Sequence, residues 1–130
     1  MQPRAAMPAP PGPVLVVDDD EAVRASLKFL LELEGLDVRL FRDGAGLLQE
    51  ALPERGCLVV DYHMPGLNGL ELVAHLRGRK IGLPALLITG RGTDDLRARA
   101  AQAGFHAVLE KPFHEASLIE GIQAALAAGR

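Results

Sequence analysis

Short apolar runs alternate with stretches of helical spacing along nearly the whole chain, and this alternation restricts the fold more than any other feature. Val14–Asp18, Asp37–Phe41, Cys57–Asp61, Leu83–Thr89 and Ala107–Glu110 read as strands. Residues 21–34, 43–52, 67–79, 93–103 and 114–128 read as helices. In the first helix Val23, Leu27, Leu30 and Leu31 share one face; in the third it is Leu70, Val73 and Leu76; in the fourth Leu96, Ala100 and Ala103; in the fifth Leu118, Ile122 and Ala125 or Leu126. Gly35 and Gly104 supply C-terminal stops, Asp43 a cap, and Pro53 a break. Five strands alternating with five helices imply parallel strands joined by right-handed helical crossovers. The strands are almost continuously apolar, as expected where both sheet faces are covered. The expected fold is α/β, an open doubly wound sheet.

A chain of 130 residues with 48% hydrophobic and 24% charged residues has material for one core. The expected division is a flexible proline-rich leader over 1–13, with prolines at 3, 8, 10, 11 and 13, and one folded domain over 14–128. A net charge of -3 argues against a broad basic footprint, so no direct nucleic-acid contact is expected. The single cysteine, Cys57, excludes an internal disulfide framework and reads as a buried reduced thiol. No apolar stretch reaches the roughly 18 residues of a membrane span, and the N-terminus lacks a secretory pattern, so a cytoplasmic protein with no membrane contact is expected.

In open α/β sheets, ligands bind beyond the carboxyl ends of the strands. Strand one ends at Asp18, Asp19 and Asp20, strand three at Asp61, strand four at Thr89, and strand five just before Lys111. In a sheet of order 2-1-3-4-5 these ends are consecutive neighbours, so acids, a hydroxyl and an ammonium converge on one shallow cleft. Clustered carboxylates repel, by roughly 4 kcal/mol for two unit charges about 4 Å apart at an effective dielectric near 20. A divalent cation relieves that repulsion, and oxygen-only donors suit Mg2+. An aspartate is also a nucleophile able to form an aspartyl phosphate, with Lys111 and the Thr89 hydroxyl placed to bind phosphoryl oxygens. Asp20 is the acid of the run best suited to cap the first helix. A lone carboxylate buried like Asp61 at a strand end is costly as mere structure. The four histidines, His63, His75, His106 and His114, form no spaced metal set.

Val16-Val17-Asp18-Asp19-Asp20, Val60-Asp61-Tyr62-His63-Met64-Pro65-Gly66-Leu67-Asn68-Gly69, Ile88-Thr89-Gly90 and Glu110-Lys111-Pro112-Phe113 together resemble the receiver domain of two-component response regulators. The separations between Asp19, Asp61, Thr89 and Lys111 are 42, 28 and 22 residues, and the four motifs occur in order over nearly the whole folded part. Ile88–Gly92 and Glu110–Phe113 look most like FixJ-type regulators. The resemblance implies a flavodoxin-like fold and a switch, not a turnover enzyme, although one that takes part in its own phosphotransfer and dephosphorylation. It implies that Asp61 accepts a phosphoryl group from a phosphohistidine on a sensor histidine kinase. It implies that Asp18, Asp19, Asp61 and the backbone carbonyl of His63 hold Mg2+. Thr89 would turn towards the phosphoryl group, Lys111 would pair with it, and the Lys111–Pro112 bond would be cis. The surface of the fourth helix, fifth strand and fifth helix would then form a homodimer or output face, with transcription as one output. The family often places an aromatic residue three positions before the lysine; here it is Val108, with Phe105 out of register. That departure removes the ring from the Thr–aromatic pair.

Two other functions are weighed against this one. A phosphatase of the haloacid dehalogenase type would use Asp18 as nucleophile in an Asp-x-Asp signature, but the usual Thr two residues on is Ala22, and the chain has little room for cap insertions. A nucleotide-binding flavodoxin-like protein would need a glycine-rich cradle where the first loop carries three acids.

Overall fold

The computed structural model describes residues 12–128. Its elements run β1 (Val14–Val17), α1 (Glu21–Leu33), β2 (Val38–Phe41), α2 (Gly44–Leu48), β3 (Cys57–Asp61), α3 (Gly69–Gly78), β4 (Ala85–Thr89), α4 (Asp94–Gln102), β5 (Ala107–Glu110) and α5 (Glu115–Ala128). The strands form one parallel sheet in the order β2-β1-β3-β4-β5. Of the leader expected over 1–13, residues 1–11 lie outside the described part. Gly12 and Pro13 lie inside it; Pro13 is buried, and its carbonyl accepts the Cys57 N–H at 3.0 Å, so the chain is tied to β3 just before β1 begins.

Side chains alternate across the strands and build two apolar layers. Leu15, Val17, Leu58, Val60 and Leu87 face the layer completed by Leu47, by Leu72 and Leu76 of α3 and by Leu96 of α4. Val14, Val16, Val59, Leu86 and Ile88 face the layer completed by Leu27 and Leu31 of α1 and by Leu118 and Ile122 of α5. Cys57 belongs to the second layer, and burial pushes its thiol up to about 12, which keeps it protonated as a small apolar group.

The elements depart from the sequence expectations where local chemistry decides. The second helix keeps five residues rather than ten, because Gly44 and Gly46 lower its propensity and the chain leaves the helix at Gln49. The third starts at Gly69, not Leu67, because Asn68 caps it: the Asn68 side chain accepts the Glu71 N–H at 2.8 Å while Glu71 accepts the Asn68 N–H at 2.9 Å. Full cover on both faces holds for β1, β3 and β4 alone; Arg39 and Leu40 of β2 are exposed and β5 has no fully buried residue, since both are edge strands. On α1 the outer residues Phe29 and Leu33 are each 68% exposed.

Gly69 marks the tightest approach near the sheet's carboxyl edge. A Cβ there would lie 2.8 Å from the Asp61 carbonyl oxygen and 2.7 Å from Leu87 Cδ1, while the Gly69 N–H donates to the Tyr62 carbonyl at 3.1 Å. Gly69→Ala is expected to lower stability by about 1–3 kcal/mol, read from urea unfolding of the two proteins. An unchanged midpoint would show that the β3–α3 loop yields freely.

Candidate functional site: an acidic pocket at the carboxyl edge of the sheet

The order of the strands brings four carboxyl ends side by side, and each delivers a polar residue. Asp18 follows β1 and is 3% exposed; Asp61 closes β3 at 8%; Thr89 closes β4 and is fully buried; Lys111 follows β5 and is exposed. Register fixes their spacing, since Asp61 pairs with Ile88 and Thr89 with Glu110. The loop carrying Asp18 is braced by the backbone. Asp18 Oδ1 accepts the Asp20 N–H at 2.9 Å, and Arg24 Nη1 donates to the Asp18 carbonyl at 2.7 Å. Asp20 caps α1, accepting from Ala22 at 2.8 Å and Val23 at 3.2 Å, as expected of it.

Asp18, Asp19 and Asp61 each offer a carboxylate oxygen, and these oxygens lie within 4.8 Å of one another. The crowding is visible in their acidity. Burial, then the neighbouring Asp18 charge, pushes Asp61 up to about 6, against the pull of Lys111; Asp19 raises it further and a backbone hydrogen bond from His63 lowers it. Asp18 is also raised, first by burial, while the Asp20 N–H and Lys111 pull it down and Asp19 and Asp20 push it up. A cluster of oxygen donors with two members strained towards the neutral form, without a sulfur or imidazole ligand, fits a hard divalent cation. A shallow cleft of about 340 Å³ between Asp19, Arg42, Asp43 and Pro65 adjoins the acids.

The remaining expected residues take separate places. The His63 imidazole is exposed and meets the Tyr62 ring edge-on, with centroids 4.7 Å apart; the acid cluster does not include it. Lys111 acts on Asp18 and Asp61 through its charge, with no ion pair to either among the described residues. Its N–H donates to the Thr89 carbonyl at 2.8 Å, and the Lys111–Pro112 peptide is cis. The Thr89 hydroxyl is engaged with its own loop: it accepts the Arg91 N–H at 3.1 Å and donates to the Arg91 carbonyl at 3.3 Å. Val108 pairs with Leu87 in the ladder, and Phe105 is buried in the layer beneath α4, so no ring stands beside Thr89 from position 108.

Arg97 is a residue that motif spacing did not single out. From α4 it reaches Gly92, Val108 and Glu110. The signal in the sequence is faint, an arginine thirteen residues before a glutamate, and only the packing of α4 against β5 brings them together.

A five-stranded parallel sheet in the order β2-β1-β3-β4-β5, with a cluster of acids at its carboxyl edge, defines a doubly wound, flavodoxin-like α/β protein. The family described as response regulator receiver domain matches residues 14–123, and the chain belongs to that family. It is 44% identical over 115 residues to the transcriptional regulatory protein FixJ of Azorhizobium caulinodans, covering 88% of this chain and 54% of that protein. It is 40% identical over 114 residues to the response regulator MprA of Mycobacterium tuberculosis, covering 87% of this chain and 50% of that one. The chain thus spans about half the length of the curated relatives it matches. Among solved structures it resembles that of FixJ-N, with a TM-score of 0.81 at 37% identity over 88% of this chain and 92% of that one. It also resembles the receiver domain of the Francisella response regulator 1452, with a TM-score of 0.82 at 26% identity over 90% and 98%. The phosphatase and nucleotide-binding alternatives find no support in these matches. No helix among the described residues is long and apolar enough to cross a membrane.

Proposed function

We propose that residues 14–128 form the receiver unit of a cytoplasmic two-component regulator, in which Asp61 accepts a phosphoryl group from a phosphohistidine of a sensor histidine kinase. The observation that carries this reading is the convergence of Asp18 and Asp19 on a buried Asp61. An Asp61 oxygen attacks phosphorus, the phosphorus–nitrogen bond to the donor imidazole breaks, and the electron pair leaves on that nitrogen, giving an aspartyl phosphate. Asp18, Asp19, Asp61 and the His63 carbonyl would hold Mg2+, which supplies charge neutralisation for phosphoryl oxygens when bound. Lys111 and Thr89 supply the ammonium and hydroxyl for the same oxygens. The same groups serve the chain's own part in phosphotransfer and in later hydrolysis. The α4–β5–α5 face would carry the signal to a second copy or an output such as transcription.

Incubation with acetyl phosphate and Mg2+, followed by mass-spectrometric mapping, is expected to place the phosphoryl group on Asp61. Label on Asp18 would instead favour the phosphatase chemistry and overturn this reading.

The fourth helix is the element suited to respond. It buries Leu96 and the small Ala100, whereas α1 buries Leu27 and Leu31. Amide exchange over residues 91–104 is expected to be faster than in α1, and to slow on phosphorylation. Equal protection of the two helices would remove α4 as the mobile element.

A further inference from the structure

Besides the Thr93 hydroxyl, which caps α4 by accepting the Leu96 N–H at 3.1 Å, two side chains among the described residues hold the loop between β4 and α4. At one end the Thr89 hydroxyl holds Arg91 through its N–H and carbonyl, at 3.1 and 3.3 Å. At the other, Arg97 Nε donates to the Gly92 carbonyl at 3.1 Å. The same guanidinium continues to β5, where Nη1 donates to the Val108 carbonyl at 3.4 Å and Nη2 faces Glu110 Oε1 at 3.6 Å. Gly92 leaves the space for this arrangement, since a Cβ there would lie 2.7 Å from Arg97 Nη2. One planar fork therefore joins the loop, α4 and the edge strand whose Glu110 pairs with Thr89 in the ladder.

We propose that Arg97 is a positioning residue that latches the β4–α4 loop to β5 while Asp61 is unmodified, and that recruitment of the Thr89 hydroxyl to a phosphoryl group opens the latch. The inference rests on the phosphoacceptor role of Asp61. The Thr89 hydroxyl has one proton, so donation to a phosphoryl oxygen ends its donation to the Arg91 carbonyl. Arg91 then loses one of the two bonds that hold it to Thr89, and Gly92, one residue further on, shifts against the fork. Arg97 thus performs from α4 the coupling to β5 that Val108 has no ring to perform. Because coupling between two sites is reciprocal, a latch that holds the unmodified arrangement must also oppose binding at Asp61.

Three variants test this through a readout other than phosphotransfer. Arg97→Ala removes the fork, Arg97→Lys keeps the charge without the fork, and Gly92→Ala displaces the guanidinium while keeping the arginine. Each is expected to bind beryllofluoride with Mg2+ about fivefold more tightly than the wild type, by titration of the intact chain. Amide exchange at residues 90–92 and 108–110 is expected to be faster in all three before beryllofluoride is added, and to match the wild type afterwards. Unchanged affinity in Arg97→Ala and Gly92→Ala overturns the latch. Wild-type affinity in Arg97→Lys alone overturns the fork geometry and leaves charge as the cause. Failure of the wild type to take up beryllofluoride overturns the role of Asp61, and the latch with it.

Discussion

Replacing Asp61 by Asn is expected to abolish phosphoryl labelling, by at least about a thousandfold, while making the metal-free protein more stable. The two effects have one origin. The carboxylate proposed as nucleophile is buried beside Asp18, and the fold pushes it up to about 6 from its ordinary value of 3.8. At neutral pH its charge therefore opposes folding, and removing the charge relieves up to about 3 kcal/mol. Divalent cation is expected to narrow or close the difference: Mg2+ at about a hundred times its dissociation constant would stabilise the wild type by about 2.7 kcal/mol, and the Asn variant would gain much less. Thermal unfolding of both proteins, with and without Mg2+, checks this. A variant less stable than the wild type in EDTA would show that the Asp61 charge is not strained.

Below pH 6 the wild type is expected to lose Mg2+ affinity and labelling rate by about tenfold per pH unit, because proton and metal compete for the same oxygens. Asp18, raised in the same direction, steepens the fall. The stability of the metal-free protein moves the opposite way. Asp61 has a folded-state value of about 6, above its ordinary 3.8, so its favourable contribution is complete below 3.8 and disappears as pH rises through 6. Isothermal titration with Mg2+ at several pH values, paired with unfolding in EDTA, measures both slopes. A flat metal affinity between pH 5 and pH 7 would show that burial beside Asp18 does not push Asp61 up to about 6.

The fold was legible because its signals are local and repeated. Leu27 and Leu31, or Leu118 and Ile122, declare their helices by spacing alone, and the three central strands are apolar up to the polar residues that close β3 and β4. The acids were legible for a topological reason: once the strands are parallel and ordered, residues at their carboxyl ends must be neighbours. Helix limits were less visible, since Asn68 becomes a cap only through its exchange of hydrogen bonds with Glu71. Edge exposure depends on which strand ends the sheet, which no property of Val38–Phe41 announces. Arg97 was barely visible because Val108 and Glu110 meet it only through tertiary packing, and its bond to Gly92, five residues earlier, is ordinary by itself.

The exposed outer strand has a consequence for how copies of this protein coexist in solution. β2 leaves one row of peptide groups without a sheet partner, and its own Leu40 is partly bare. Such an edge invites another chain to extend the sheet, the first step towards insoluble fibrils. Arg39 on that strand is exposed, and Arg42 just after it is exposed with its guanidinium 3.9 Å from Asp43, so two edges approaching each other would oppose the Arg39 charges. A neutral replacement at Arg39 is expected to leave the fold intact while making concentrated solutions prone to precipitation, read from light scattering.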